Sequence, residues 1–443
     1  MSLREEVDRV LPSVRADLEA LVRIPSVSSD PAAATEVRRS ATVVAELLRA
    51  EGLDVQLLET GGGHPAVLGR RPAPPGAPTV LLYAHHDVQP VGDPAAWTSD
   101  PFVPTERDGR LYARGAADDK AGFAVHLAVL RALGDDLAVG VTVLVEGEEE
   151  IGSRSLPALL REHREALRAD VVVLADSTNW RVGVPALTTS LRGGVSAVVE
   201  VRVLDHPLHN GVYGGPVPDA LTVLSRLLAT LHDDAGDVAV PGLARREADP
   251  LDLTDDDLRA DAGLLDGVQL IGTGSLTSRL WTAPALSVVG IDAPPVDGAG
   301  MVLVPSARAR VALRIGPADD AESARAALVA HLEQRAPWGA QVTVTAGRAV
   351  VPFTAATSGR AYDAAHRALS AAWGVRSVDI GVGGSIGFIS TMAAAFPDAE
   401  FLVTGVEDPD TRAHGPDESL HLGDFAKACL AEALLLQELA PQP

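Results

Sequence analysis

Five places in the chain set histidine or carboxylate side chains beside an apolar run or a glycine turn. They are His85 and Asp87, Asp118 and Asp119, Glu148 to Glu150, Asp176, and His414. Imidazole nitrogens and carboxylate oxygens are the donors of divalent metal sites and the acids and bases of proton transfer. His85 and Asp87 close the run TVLLYAHHD (Thr79 to Asp87). On a strand, residues two apart share a side, so His86 faces elsewhere. A carboxylate beside an imidazole commonly holds a metal-binding histidine in one tautomer. Each place also has a plain structural explanation. Asp118 and Asp119 could cap a helix starting near Ala121, Glu148 to Glu150 could be a solvated turn, and Asp176 and His414 could sit in ordinary loops. The conjunction argues otherwise, because strand carboxyl ends in an open α/β sheet converge on one crevice. Several carboxylates meeting there cannot all ionise unless protons or cations neutralise them. Two dications would resolve that conflict.

The elements that must position these residues follow from hydrophobic patterning. Amphipathic helices are expected over Leu3 to Arg23 and Thr35 to Glu51, the second stopped by Gly52. Short apolar runs at Leu53 to Glu59, Ala66 to Gly69, Thr79 to Ala84, Arg110 to Arg114, Val139 to Val145 and Asp170 to Ala175 read as strands. Ala121 to Leu133 and Pro157 to Leu167 read as helices between them. Strands alternating with helices imply βα units on a mostly parallel sheet with helices on both faces. The texture then changes: Val195 to Leu204, Arg308 to Ile315 and Gln341 to Thr345 alternate like half-buried antiparallel strands. Helical stretches at Asp219 to Leu231 and Ala321 to Gln334 accompany them. The expected organisation is therefore one α/β domain over residues 1–188 and 351–443, interrupted by an inserted α+β domain over 189–350. Tyr362 to Trp373, Glu400 to Thr404 and Asp424 to Leu439 complete the first domain.

The 443 residues are too many for one ordinary core, which agrees with two domains. Acidic residues outnumber basic ones 60 to 37, a formal charge of −23. Such a surface repels phosphate backbones and anionic lipid, so neither nucleic acid nor membrane is an expected partner. Cys429 is the single cysteine, which excludes an intramolecular disulfide and thiolate metal clusters. Any metal must rest on nitrogen and oxygen ligands. No signal-type or membrane-spanning apolar run is present, and a cytoplasmic address is expected.

The runs AHHDVQP, GAADDKAG, EGEEEIGS, LADS and AHGPDESL resemble, in order, the motifs of the two-zinc metallopeptidases. That family includes carnosinase-type dipeptidases, glutamate carboxypeptidase, aminoacylase and acetylornithine deacetylase. The resemblance implies that Asp118 bridges two divalent ions, zinc first and manganese or cobalt as alternatives. His85 and Asp176 would hold one and Glu150 and His414 the other, with Asp87 orienting His85 and Glu149 as general base. It also implies a cis bond between Asp118 and Asp119. HPLHNGVYGG resembles the carnosinase-type run whose histidine reaches across a homodimer, which gives that part to His209 as oxyanion donor and implies that residues 1–188 and 351–443 form the catalytic domain and 189–350 a lid and dimerisation domain. Arg314 and the turn Gly383-Gly384-Ser385 are candidates for the substrate carboxylate. The dipeptidases' usual Arg-Glu pair before those glycines is replaced here by Gly381-Val382, their usual proline by Gly387, and a usual serine by Asn210. Aspartate at the position of Asp176 is typical of the family's amino- and dipeptidases. The expected activity is thus a dinuclear metal-dependent dipeptidase. An N-acyl-amino-acid deacylase with the same centre, or a non-catalytic acidic metal-binding protein, are its rivals.

Overall fold

The structure is a computed structural model that describes residues 2–384 and 387–441. The chain divides into two compact units, residues 1–189 with 355–380 and 387–443, and residues 190–354 with 381–386. The expected inner boundaries thus differ by a few residues. Residues 381–384, expected in the catalytic domain, fall with the second unit.

In the first unit the histidine strand Thr79–His85 lies inside a six-stranded sheet. Its parallel neighbours are Gly140–Glu146 and Val171–Leu174, and Glu400–Val403 continues the parallel set. On the other side Ala66–Arg71 runs antiparallel to Gly140–Glu146, and Asp54–Leu58 forms the edge. Val80 to Ala84 are fully buried, which is why that stretch carries no polar alternation: helices cover both faces. One of them, Lys120–Leu133, is buried nearly all round. At its start a Cβ on Gly122 would lie 2.8 Å from the carbonyl oxygen of Ala175. Glycine there lets the helix begin against the end of the Val171–Leu174 strand, drawing Asp118 toward Asp176.

Burial of single charged groups is compensated inside this unit. The buried His126 donates from Nδ1 to Glu432 Oε1 (2.8 Å) and from Nε2 to the carbonyl of Tyr83 (3.0 Å). The Lys120 ammonium donates to the carbonyl of Ile24 at 2.9 Å, and burial pulls its pKa down to about 7.

A small antiparallel sheet was not legible beforehand beyond its middle strand. Thr105–Arg107, Arg110–Tyr112 and Ser419–His421 pair in that order. Each strand is only three residues long, too short to show a period. The expected helix over 157–167 is instead Leu156–Glu162 and Arg164–Leu167, broken at His163.

The second unit carries a four-stranded antiparallel sheet ordered Ala285–Asp292, Ser306–Ile315, Gly193–Arg202, Gln341–Val350. Its core packs Val195, Val199, Val311 and Leu313 against Leu224 and Leu227 of one helix and Leu328 and Leu332 of another. The edge strand Ala285–Asp292 escaped the sequence reading because its apolar residues are not buried. Val288, Val289 and Ile291 are exposed, and the register shifts between Val288 and Gly290. No helix among the described residues is long and apolar enough to cross a membrane.

One expected outcome concerns the His126–Glu432 pair. Burial disfavours the imidazolium, but the charge and hydrogen bond of Glu432 outweigh it and raise the His126 pKa. A raised pKa contributes stability that is complete below the unfolded value and disappears as pH rises through the folded one. Replacement of His126 by Ala should therefore cost about 3 kcal/mol at pH 6 by leaving a buried carboxylate alone. The gap between the urea midpoints of wild type and variant should narrow as the pH is raised through the elevated range of the imidazole, at constant metal content.

Candidate metal centre

Strand topology brings the polar groups of the first unit together. Beyond His85 the chain carries Asp87, whose buried carboxylate accepts the amide N–H groups of Glu149 (3.3 Å) and Glu150 (3.1 Å). One short side chain thereby ties the end of the histidine strand to the turn after its neighbour, Gly140–Glu146. His85 donates from Nδ1 to the backbone carbonyl of Asp87 (3.1 Å), with the Asp87 carboxylate 3.4 Å away. That leaves Nε2 directed at Asp118 Oδ1 (3.1 Å) and Asp176 Oδ1 (3.9 Å). His414 Nε2 meets the other oxygen, Asp118 Oδ2, at 3.0 Å and Glu150 Oε2 at 3.2 Å.

Two donor sets result, His85/Asp118/Asp176 and Asp118/Glu150/His414. Within each, the candidate ligand atoms lie within 4.8 Å of one another. Asp118 belongs to both through different oxygens, the arrangement that a carboxylate bridging two cations requires. All donors are nitrogen or oxygen, as Zn, Mn or Co would accept. The electrostatics agree with a cation at each set. Burial pushes the Asp176 carboxyl up to about 7, with Asp118 and Glu150 adding to it. Burial and then Asp176 hold the Glu149 carboxyl well above its ordinary range. Burial opposes ionisation of Asp118 too, yet hydrogen bonds from His414 and His85 overcome it and lower its pKa. Hydrogen bonds to Asp118 and Glu150 raise His414 to about 11. Protons on the imidazoles occupy the role of cations among these carboxylates, and dications would take it over.

Neighbouring groups hold this geometry. The bond between Asp118 and Asp119 is cis. Asp119 does not cap the helix through its side chain; it accepts the N–H of His85 (3.2 Å) instead. Glu418 Oε1 accepts the amides of Ala117 (3.1 Å) and Asp118 (3.2 Å), while its Oε2 pairs with the buried Arg114 at 2.5 Å. Glu148 is buried, not solvated. It accepts the amides of His64 and Ser155 (3.0 Å each) and the hydroxyl of Ser155, locking the turn that carries Glu149 and Glu150. Gln89 donates to Glu150 Oε2 (2.7 Å) and to its carbonyl (3.3 Å). The sequence offered no signal for these clamps beyond the position of Gln89 in the VQP run. His86 turns away: Nε2 donates to the carbonyl of Pro65 at 2.9 Å, and burial lowers its pKa to about 4.

His209, Arg314, Gly383 and Gly384 belong to the second unit. His209 is exposed at the end of the Leu208–His209 strand and accepts the amide of Gly211 (3.1 Å). Arg314 lies exposed on Ser306–Ile315. A Cβ on Gly383 would lie 3.6 Å from the guanidinium of Arg192, a buried residue absent from the sequence reading. Ser385 lies outside the described residues.

Carboxylates and imidazoles gathered at the carboxyl ends of a mostly parallel sheet, with one aspartate shared by two sets, define a metallohydrolase. The chain belongs to peptidase family M20/M25/M40, whose model matches residues 81–438. It is 37% identical to a cysteinylglycine-S-conjugate dipeptidase of Corynebacterium striatum over 95% of this chain and 94% of that protein. Among solved structures, human carnosine dipeptidase 1 superposes with a TM-score of 0.82 at 25% identity, covering 99% of this chain and 98% of the other. Saccharomyces cerevisiae Dug1p, described as a di-peptidase, gives 0.82 at 23% identity over 100% of this chain and 98% of the other, a likeness of fold.

The Gln89 clamp has a measurable consequence. With Gln89 replaced by Ala, the set containing Glu150 should lose about 10- to 100-fold in metal affinity. The set containing Asp176 should be little changed. Competition titration with a chromophoric chelator separates the two.

Proposed function

We propose that the protein is a metal-dependent dipeptidase. Asp118, shared through separate oxygens by the His85/Asp176 and Glu150/His414 sets, carries the reading. Two divalent ions held there, zinc first, would polarise the scissile carbonyl and acidify a water molecule, several kcal/mol at the transition state. The protein's own groups do the rest. Glu149, whose surroundings keep its carboxyl basic, takes the proton of the attacking water and passes it to the leaving amine. Asp87 fixes the turn that carries Glu149 and, through its carbonyl, the tautomer of His85. Two neighbours named as dipeptidases support the substrate class, and the name of the Corynebacterium striatum relative adds a Cys-Gly S-conjugate to the panel worth assaying.

The proposal extends to a homodimer formed through the second unit, with His209 donating to the partner's oxyanion. The support is an uncovered apolar surface. Val289, Ile291, Val296 and Met301 are 57%, 53%, 92% and 75% exposed, on or near an edge strand with open backbone groups. The His209 segment shares this surface, pairing with Val302 and bonding Met301 through Asn210. Arg314, Gly383 and Gly384 are assigned to the substrate carboxylate, Arg314 for its charge and the glycines for backbone N–H groups. The buried, unpaired Cys429 suits a reducing, cytoplasmic compartment.

Metal-depleted enzyme should regain hydrolysis of Ala-type dipeptides on adding Zn, Mn or Co, and N-acetyl or N-succinyl amino acids should be poor substrates. Faster turnover of the acyl amino acids would make the protein a deacylase. Glu149→Gln should keep its metal, measured by mass spectrometry, while kcat falls by at least about 100-fold. Unchanged turnover would remove Glu149 from the mechanism. The paired substitutions Ile291→Asp and Val296→Asp should give monomers in sedimentation analysis and abolish activity. Fully active monomers would exclude His209 acting in trans.

A further inference from the structure

One carboxylate beside the metal centre has no part in the foregoing. Glu407 follows the Glu400–Val403 strand, and the chain there runs alongside residues 177–179 immediately after Asp176. Thr178 bridges to Glu407 in parallel fashion, and the amide of Asn179 donates to the Glu407 carbonyl at 2.8 Å. The side chain is half-buried, and the charges of Asp118, Asp176, Glu418 and His414 all act on it. Among the described residues, no donor hydrogen-bonds its carboxylate and no basic side chain pairs with it. Glu418, Glu148, Asp119 and Asp87 differ in this respect, since each holds backbone amides. Among the described residues Glu149 and Asp176 likewise have no bonded donor, His85 Nε2 standing 3.9 Å from Asp176, but Glu149 has a proton to carry and Asp176 a cation to hold.

Charge balance sharpens the point. Two dications would match the three ligand carboxylates together with Glu149, Arg114 offsets Glu418, and Asp87, Asp119 and Glu148 are held by backbone amides. Among the described residues no basic side chain pairs with Glu407, whose half-buried carboxylate stays open to a cation from outside the chain. A substrate that brings its own cation supplies the missing partner. A dipeptide does so through the free ammonium of its first residue, close to the scissile bond; an N-acyl amino acid does not.

We propose that Glu407 binds the N-terminal ammonium of the substrate and so sets the preference for dipeptides over N-acyl amino acids. This rests on the dipeptidase reading above. The bond is charge-assisted, and its loss should act on a group present in one substrate and absent from the other.

The test compares Ala-Ala with N-propionyl-alanine, which differs only in lacking the ammonium, using zinc-loaded wild type, Glu407→Gln and Glu407→Asp. Wild type should favour Ala-Ala by about 100-fold in kcat/KM. Glu407→Gln should lower that ratio to within about threefold, mainly through KM for Ala-Ala, with two metals per chain and an unchanged melting temperature. Glu407→Asp should fall between. A ratio kept at the wild-type level in Glu407→Gln overturns the assignment. So does loss of a metal ion from that variant, which would make Glu407 a ligand. The wild-type ratio needs no variant: equal use of the two compounds also overturns it. Failure of wild type to hydrolyse Ala-Ala at all would instead remove the dipeptidase reading, and this inference with it.

Discussion

The architecture answers one electrostatic problem. Asp118, Glu149, Glu150, Asp176, Glu407 and Glu418 come from distant parts of the sequence, and their mutual influence is felt in the shifted pKa values of several of them. Like charges packed this closely, partly out of water, repel by more than a protein's net stability can absorb unless cations or protons intervene. Among the described residues the chain answers them with the imidazoles of His85 and His414, the Arg114 guanidinium and the Lys120 ammonium. The remaining negative charge would favour divalent cations at the two donor sets.

That concentration of charge is sustained by rigid surroundings. The parallel strands behind the site are fully buried, and their register sets the spacing of the loops that follow. Val80 to Tyr83 pair with Val171 to Leu174 on one side and with Val141 to Leu144 on the other. Loops leaving such strands would be mobile if unsupported. Instead, Asp87, Glu148 and Glu418 each accept two backbone amides across loop junctions, converting acidic side chains into structural clamps. The same residue type thus does two kinds of work within a few ångströms: some carboxylates hold backbone, others point into the crevice.

The second unit obeys a different logic. Its sheet buries one face against two helices, and the sequence shows that as strict alternation in Gly193–Arg202 and Ser306–Ile315. The edge strand Ala285–Asp292 breaks the rule by exposing apolar residues. Apolar patterning reports burial within the chain, so a strand that keeps its apolar residues outward is invisible to it. The short strands Thr105–Arg107 and Ser419–His421 were missed for the opposite reason: their length leaves no period to detect, although their pairing places Glu418 under Asp118.

The sequence by itself determined the donor chemistry and its placement. Apolar runs ending in histidine or carboxylate fixed which residues stand at strand termini, and the ordered motifs fixed which of them go together. Tertiary structure alone decided how single side chains divide their atoms. Asp118 offers one oxygen to each set, Asp87 couples His85 to the Glu149 turn, Glu148 leaves solvent to become a clamp, and Glu407 stands beside the Asp176 loop with no bonded donor among the described residues. Strand periodicity acts on neighbours along the chain, so it can be read from residue order. The orientation of a carboxylate depends on amides hundreds of residues away, and only the folded chain brings those within hydrogen-bonding distance.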